Sequence, residues 1–306
     1  MSTVSSSLPD FIGSEVYRSY EEASVVILPI PFEATTTYRK GCEQGPAALL
    51  DASFQLECYD DELRNETCFA VSIFTHPAIA DTRQNPDLTA EEMLQESSTT
   101  TKKLLEDGKF VIALGGEHAI TTGVVMGHLD FYQEPFTVVQ IDAHADLRQT
   151  YEGSEHNHAC IMRRVMDLGL PSLPVAIRSL CKEEADLIAD KEIPVVWAWD
   201  IQRDPQGWIE AAIAKIPTEK VFLTIDLDGI DPTLIPGVGT PEPGGLDWYG
   251  TLMFLRRLFQ SRDVIGCDVM ELAPTTDSVV SEYTSAKLVY KLIGYWHEAK
   301  ATKSDS

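Results

Sequence analysis

Basic side chains are scarce in this 306-residue chain, which has 24 lysines and arginines against 48 aspartates and glutamates and a formal net charge of −24 at pH 7. Binding to nucleic acid requires clustered Lys and Arg, and docking on an anionic membrane requires the same kind of surface. The composition therefore excludes both from the expected partners. The charge is compatible with a small cationic ligand, but charge alone identifies no function.

Long apolar runs and paired cysteines are also lacking. No apolar run approaches the ~18 residues of a membrane span. The first basic residue is Arg18, so no positively charged segment opens a secretory signal. The six cysteines are scattered without a CxxC pair, which is typical of reduced thiols rather than of a disulfide framework. We therefore expect a cytoplasmic protein.

The chain has enough apolar side chains, at 44% of its residues, to form one large core. Both ends are small and polar, and no long linker, low-complexity block or internal repeat divides the interior. We expect a single domain over residues 15–298, with a flexible N-terminal tail over 1–14 and a flexible C-terminal tail over 299–306.

Short apolar runs alternate with helical patterns through the interior. Residues 89–107 predict a helix, because Thr89 and Glu92 form a capping-box pair and Gly108 is a typical helix stop. Residues 279–296 repeat apolar side chains at helical spacing. Most strand runs are continuously apolar, as in parallel strands buried on both faces, so the alternation predicts an α/β fold with a mostly parallel sheet. The runs predicted as strands are 24–31, 69–74, 109–114, 136–141, 174–178, 193–197, 220–225 and 264–270.

Polar clusters follow four of these runs. In open parallel sheets, ligands bind beyond the carboxyl ends of the strands, so these clusters are the first candidates for a functional site. The clusters are GGEH with His118, DAHAD with Asp142, His144 and Asp146, DLDGIDP with Asp226, Asp228 and Asp231, and the single Glu271 after the last run.

The clusters combine carboxylates with imidazoles. Asp142, His144 and Asp146 share a face if their strand continues, and Asp226 and Asp228 have the same spacing. Carboxylates that converge repel each other unless a divalent cation neutralises them. Oxygen and imidazole donors without thiolate favour Mn²⁺, with Fe²⁺, Co²⁺, Ni²⁺ and Zn²⁺ as alternatives. The candidate ligands are too many for one tetrahedral ion, so we expect two ions, which would generate a hydroxide nucleophile near neutral pH.

Other patterns give no competing site. The glycine-rich segment 237–245 lacks lysine and phosphate-loop spacing, which argues against a nucleotide site. No Gly-x-Ser-x-Gly elbow is present. His156 and His158 lie on the segment after Asp146, and each is either a proton shuttle or an exposed loop histidine.

The motifs GGEHAI, DAHADLR, HNHACIMRR, TIDLDGIDP, GTPEPGGL and DVMEL together resemble the ureohydrolases, which are arginase, agmatinase and their relatives. The resemblance covers residues 24–296. It implies a three-layer α/β/α domain with a central, mostly parallel eight-stranded sheet, assembled as a homotrimer or homohexamer. It also implies two Mn²⁺ ions, with Ni²⁺ as an alternative, one held by His118, Asp142, Asp146 and Asp226 and the other by Asp142, His144, Asp226 and Asp228.

The same resemblance implies a reaction. A hydroxide between the ions attacks the guanidinium carbon of a small cationic substrate, and Asp146 passes a proton to the leaving amine. Glu271 pairs with the guanidinium group in a charge-assisted contact. His158 matches the proton-shuttle histidine of the family, whereas His156 does not. The products are urea and an amine.

The substrate follows from one loop. Residues 147–159 do not resemble the carboxylate-binding segment of arginases, and they are similar to the corresponding segment of agmatinases. Agmatine, hydrolysed to putrescine and urea, is therefore the predicted substrate. Guanidinobutyrate, another guanidino acid, guanidine and arginine stay as alternatives, because Ala119, Gln149, Thr150 and Asn157 depart from the agmatinase pattern.

Two interpretations from other classes stay open. A single-zinc amide deacetylase of related fold would not need both Asp226 and Asp228 beside His118. A metal-bound sensor or scaffold would keep the fold without turnover. Replacing Asp146 by asparagine distinguishes catalysis from a scaffold.

Overall fold

The computed structural model describes residues 8–13, 16 and 18–304. Its strands are β1 (Val25–Ile30), β2 (Tyr59–Asp60), β3 (Asn65–Glu66), β4 (Ile73–Thr75), β5 (Phe110–Gly115), β6 (Thr137–Ile141), β7 (Ser172–Ile177), β8 (Val196–Trp197), β9 (Lys220–Asp226) and β10 (Asp263–Met270). Its α-helices are α1 (Gly45–Ser53), α2 (Thr67–Ala70), α3 (Ala90–Glu106), α4 (Ile120–Tyr132), α5 (Ile161–Asp167), α6 (Lys182–Lys191), α7 (Ala198–Arg203), α8 (Trp208–Ala214), α9 (Trp248–Ser261) and α10 (Val280–Ser304).

Eight of the described strands form one sheet in the order β4-β1-β5-β10-β9-β6-β7-β8, and its pairings are parallel. Apolar side chains of α1, α8, α9 and α10 pack on one face, and those of α3, α4, α5 and α6 pack on the other. Strands β1 and β5 are buried at every residue, as expected for strands covered on both faces. The predicted three-layer α/β/α fold with an eight-stranded parallel sheet is confirmed.

The predicted elements differ from the structure mainly at the sheet edges. The run 69–74 is predicted as a strand, but α2 occupies its first residues and β4 begins at Ile73. The run 193–197 contributes only the two residues of β8. Both strands lie at an edge of the sheet and pair with only one neighbour. Their length is therefore less constrained by pairing than the length of a central strand, which has two neighbours. The helix predicted over 89–107 is confirmed, with its capping box between Thr89 and Glu92.

The two ends of the described chain contact the domain. Phe11 is buried in the core, and its N–H donates to Thr75 Oγ1 at 2.8 Å. Helix α10 continues to Ser304, beyond the boundary predicted at residue 298. Residues 1–7, 14 and 305–306 of the predicted tails lie outside the described residues, and the division into tails and one domain stays a prediction. No helix in the described part of the chain is long and apolar enough to cross a membrane.

His128 is a fully buried histidine in the middle of α4. Its Nδ1 contacts the Val124 carbonyl at 2.9 Å, and its ring lies against Phe222 with the centroids 4.8 Å apart. Nε2 has no hydrogen-bond partner among the described residues. Burial therefore lowers the pKa of His128 to about 4.

This histidine predicts a loss of stability in acid. Below about pH 6.5 the unfolded chain binds a proton on His128, whereas the folded protein binds it only below about pH 4. The stability is therefore present above pH 6.5 and is lost as the pH falls toward 4. We expect this group to lower the free energy of unfolding by about 2 kcal/mol between pH 7.5 and 5.

Urea unfolding of wild type and His128→Phe at both pH values measures this contribution. Between pH 7.5 and 5, the free energy of unfolding of His128→Phe should fall by about 2 kcal/mol less than that of wild type, because phenylalanine does not titrate. His76→Gln is the control for the removal of a histidine in general, since His76 is only partly buried and its Nδ1 contacts the Pro77 carbonyl. The same pH dependence in His128→Phe and wild type would contradict the assignment.

Candidate active site

Four neighbouring strands carry the predicted ligands at their carboxyl ends. In the sheet order β5-β10-β9-β6, the ends of these four strands lie side by side. The residues at or just after these ends are, in the same order, His118, Glu271, Asp226 and Asp142. These strands are not consecutive in the chain, and the crossovers bring their ends together. Parallel pairing aligns Met270 with Asp226, which fixes the register at this edge. The polar side chains therefore meet at one edge of the sheet.

The first cluster surrounds His118. Its Nδ1 lies 3.2 Å from a carboxylate oxygen of each of Asp142, Asp146 and Asp226. His118 is buried, and this nitrogen makes no hydrogen bond to a described residue. On the other side of the ring, Nε2 lies 2.8 Å from Thr224 Oγ1. If Nε2–H donates to Thr224, the Nδ1 lone pair faces the three carboxylates.

The second cluster shares Asp142 with the first. His144 Nδ1 lies 3.0 Å from Asp228 Oδ2 and 3.6 Å from Asp142 Oδ1. Strand β6 ends at Ile141, and Asp146 has a left-handed φ of 51°. The structure thus brings these side chains together on an irregular segment that keeps one parallel bridge, from His144 to Ser179, and not on the regular continued strand assumed from the sequence.

A tight turn after β9 positions Asp226 and Asp228. The Asp228 N–H donates to Asp226 Oδ1 at 2.9 Å within the 3₁₀ turn Leu227–Gly229. A Cβ at Gly229 would lie 2.6 Å from the Asp142 backbone nitrogen. The absence of a side chain at Gly229 therefore permits this turn to approach the end of β6.

The two clusters have the composition of a divalent-metal site. One ligand atom from each of His118, Asp142 and Asp146 lies within 4.8 Å of the others, and the same holds for Asp142, His144 and Asp228. Burial, together with the neighbouring Asp142, raises the pKa of Asp146 to about 7. Buried carboxylates this close together repel each other, and a cation between them removes the repulsion. The residues present therefore fit two hard divalent ions, with carboxylate and imidazole donors.

Glu271 lies beside the clusters on the turn after β10. Its Oε1 accepts the backbone N–H of His118 at 2.8 Å, and its side chain is buried. A Cβ built at Gly239 would lie 3.6 Å from Oε2, so the glycine leaves free space next to this oxygen. Burial raises the pKa of Glu271 to about 8. The arrangement suits a planar cation placed against Oε2.

A cavity of about 320 Å³ leads to these groups. Its lining includes His144, Asp146, Asp226, Asp228 and Glu271, which we call the cavity floor. Residues 36–39 form one wall, and His158, Arg148 and Tyr151 line another part of it. The Arg148 guanidinium lies 4.6 Å from the centroid of the Tyr151 ring. The cavity therefore joins four of the six predicted ligands, Glu271 and His158 in one space.

The two loop histidines differ in their surroundings. His158 lines the cavity, and burial lowers its pKa to about 4. His156 instead lies near Glu155, with Nε2 3.8 Å from the carboxylate, and its N–H donates to Ser154 Oγ. Of these two described residues, only His158 is placed to contact a molecule in the cavity.

The residues that depart from the agmatinase pattern are not among those that line the cavity. Gln149 and Thr150 are exposed, and Ala119 is buried at the start of α4. Asn157 is buried, and its Oδ1 accepts the Ala159 N–H at 3.0 Å, which caps the 3₁₀ turn His158–Cys160. Thr150 and Asn157 are the immediate chain neighbours of Tyr151 and His158, which line the cavity. Asn157 acts on the backbone of the turn that carries His158.

Sequence reasoning missed the residues that support the ligands. Arg178 follows β7 and donates to the Asp228 carbonyl at 2.6 Å and the Glu242 carbonyl at 2.7 Å. It thereby ties the turn that carries Asp228 to the glycine-rich segment. The Glu117 carboxylate accepts hydrogen bonds from residues of the segment after β1. In the sequence, Glu117 was indicated only by its place in the GGEH motif, and no pattern indicated Arg178.

A family model described as the Arginase family matches residues 23–294. The chain belongs to the arginase family. This is a family of binuclear metal enzymes, and the chain is a ureohydrolase of the agmatinase type, which hydrolyses guanidino compounds.

Several relatives match this arginase-family chain over nearly its whole length. It is 59% identical to an N(1)-aminopropylagmatine ureohydrolase of Synechocystis sp. over 96% of this chain and 95% of the relative. It is 31% identical to an agmatinase of Pyrococcus horikoshii, with 91% and 97% covered. The crystal structure of an agmatine ureohydrolase of Thermoplasma volcanium superposes with a TM-score of 0.82 at 29% identity, covering 97% of each chain.

Proposed function

We propose that this ureohydrolase removes urea from N1-aminopropylagmatine and releases aminopropylputrescine, which is spermidine. The observation that supports the hydrolytic chemistry is the convergence of the two aspartate–histidine clusters and Glu271 on one cavity. The observation that supports this substrate is the 59% identity to a relative named for it. Water adds its oxygen to the guanidinium carbon, the bond from that carbon to the alkyl nitrogen breaks, and the nitrogen leaves as an amine.

Agmatine is the second candidate substrate, with putrescine and urea as its products. It is supported by the likeness of residues 147–159 to agmatinases and by the relatives named agmatinase. The two candidates share the guanidinium group and four-carbon chain and differ in the aminopropyl arm. They therefore require the same groups at the cavity floor and differ only in what contacts the distal amine.

We propose that His118, Asp142, Asp146 and Asp226 hold one Mn²⁺ and that Asp142, His144, Asp226 and Asp228 hold the other, with Ni²⁺ as the alternative metal. Asp142 contacts both histidines and Asp226 contacts His118, which supports these assignments. The assignment of Asp226 to the second ion as well rests on the resemblance to the ureohydrolases. When bound, two such ions supply a hydroxide nucleophile near neutral pH and neutralise the buried carboxylates.

The residues of the chain then have separate tasks in our proposal. A carboxylate oxygen of Asp146 takes a proton from the attacking water and gives one to the leaving amine nitrogen. Glu271 Oε2 pairs with the guanidinium group and orients its carbon toward the nucleophile. His158 moves protons between the cavity and solvent, since it lines the wall and its low pKa keeps it neutral near pH 7. We further propose that the protein is cytoplasmic and that it assembles as a homotrimer or homohexamer. Light scattering of the purified protein tests the oligomeric state.

The test of the function is urea release by purified protein reconstituted separately with Mn²⁺ and Ni²⁺. N1-aminopropylagmatine, agmatine, arginine, guanidinobutyrate and guanidine are compared, with chelator-treated protein as the control. We expect kcat/KM for N1-aminopropylagmatine to exceed that for agmatine by at least about tenfold, since one additional paired amine contributes about 1.4 kcal/mol or more. Faster turnover of agmatine would assign the second candidate, and turnover of a guanidino acid alone would contradict both.

A further inference from the structure

Thr35, on the segment after β1, joins two parts of the site that are distant in sequence. Its Oγ1 lies 2.7 Å from Glu117 Oε1, accepts the His158 N–H at 2.9 Å and lies 3.3 Å from His158 Nδ1. The carbonyl of Thr35 accepts Asn157 Nδ2 at 3.4 Å. The backbone and hydroxyl of Thr35 therefore both contact the turn that carries the cavity histidine.

Glu117 holds Thr35 in this position. Its Oε2 accepts the N–H groups of Ala34 and Thr35, each at 2.6 Å. The Glu117 side chain is fully buried, and among the described residues its hydrogen bonds come from Ala34 and Thr35. A buried carboxylate is unfavourable unless it is hydrogen-bonded, so these contacts couple its burial to the placement of Thr35.

The donors and acceptors around the hydroxyl fix the protonation of the imidazole. A threonine hydroxyl has one proton to donate and two lone pairs to accept with. Its proton goes to Glu117 Oε1, because Oε2 already accepts two backbone N–H groups, and hydrogen bonds received in this way favour the ionised carboxylate, which only accepts. One lone pair accepts the His158 backbone N–H, and the other faces His158 Nδ1. Nδ1 must then carry the imidazole proton, which leaves the lone pair on Nε2.

We propose that Thr35, held by Glu117, is a positioning residue that fixes His158 in the Nδ1–H tautomer and keeps its Nε2 lone pair available to accept a proton in the cavity. This inference rests on the proposed proton-shuttle role of His158. It extends that role to two residues that touch neither the proposed ions nor the substrate. It also explains why an acidic side chain stands next to His118 without facing the ligand clusters.

A double-mutant cycle between Thr35→Val and His158→Asn tests the proposal in metal-loaded protein. Valine keeps the shape of threonine and removes the hydroxyl. We expect Thr35→Val to lower kcat about 10- to 30-fold with KM changed by less than about threefold, and Thr35→Ser to retain kcat within about threefold of wild type. In the His158→Asn background, Thr35→Val should lower kcat by less than about twofold, because its effect passes through the missing imidazole.

Thr36→Val is the matched control in the same segment. The Thr36 hydroxyl donates to Glu33 Oε1 at 2.7 Å and not to His158. Whatever its size, its effect should be the same in the presence and absence of His158. Metal content and the thermal midpoint are measured for every variant, and Thr35→Ala replaces Thr35→Val in the cycle if the valine variant does not fold.

The outcomes separate this inference from the function on which it rests. Equal losses from Thr35→Val with and without His158 would overturn the positioning role and leave the shuttle role intact. Full activity of His158→Asn would overturn both roles, while urea release by wild type would still support the proposed hydrolysis. A Thr35→Ser variant as slow as Thr35→Val would also overturn the proposal, since serine keeps the hydroxyl.

Discussion

Replacing Asp146 by asparagine is expected to lower kcat for urea release by at least about a thousandfold, since general acid–base catalysis contributes about 10²–10⁴ and a ligand is weakened as well. Asparagine keeps the size of aspartate, but its amide cannot take a proton from the attacking water. Asp146 is buried, and its carboxylate lies 3.2 Å from His118 Nδ1, within the first ligand cluster.

The measurement is urea release at saturating substrate together with metal content per chain. Asp190→Asn is the matched control, because Asp190 is exposed on α6, and its activity should stay within about twofold of wild type. A metal-loaded Asp146→Asn variant that keeps more than about a tenth of wild-type kcat would show that another group is the base.

The fold was predictable because its central strands are buried on both faces. Such strands appear in sequence as continuous apolar runs, and the polar residues that follow them mark the carboxyl edge of the sheet. The order β5-β10-β9-β6 was not predictable from spacing, because the chain leaves the centre of the sheet after β6 and returns at β9. The extents of the edge strands β4 and β8 were predicted wrongly, because each of these strands pairs on one side only.

The predicted site residues were those with a pattern in the local sequence. Asp142, His144 and Asp146 were found by alternation, although the structure places them on an irregular segment in which Asp146 has a left-handed φ. Thr35 gave no signal, because its partners Glu117 and His158 are 82 and 123 residues away. A polar loop residue that acts through tertiary contacts leaves no periodicity, so only the structure identifies it.

Glu271→Gln is expected to lower kcat/KM about 100- to 1,000-fold, which corresponds to about 3–4 kcal/mol for loss of one partner of a buried charge pair. Glutamine keeps an oxygen that accepts the His118 N–H, so the side chain stays in place while its charge is lost. The loss should appear with every guanidino substrate, because Glu271 contacts the group that all of them share.

Inhibition by the amine product distinguishes a contact with the guanidinium group from a general distortion of the cavity. Spermidine or putrescine lacks that group, so its inhibition constant should change by less than about threefold in Glu271→Gln. Glu91→Gln, at an exposed position in α3, is the matched control for the loss of one carboxylate. If Glu271→Gln weakens the binding of product and substrate equally, Glu271 acts by shaping the cavity floor. The orientation of the guanidinium carbon must then be assigned to other groups.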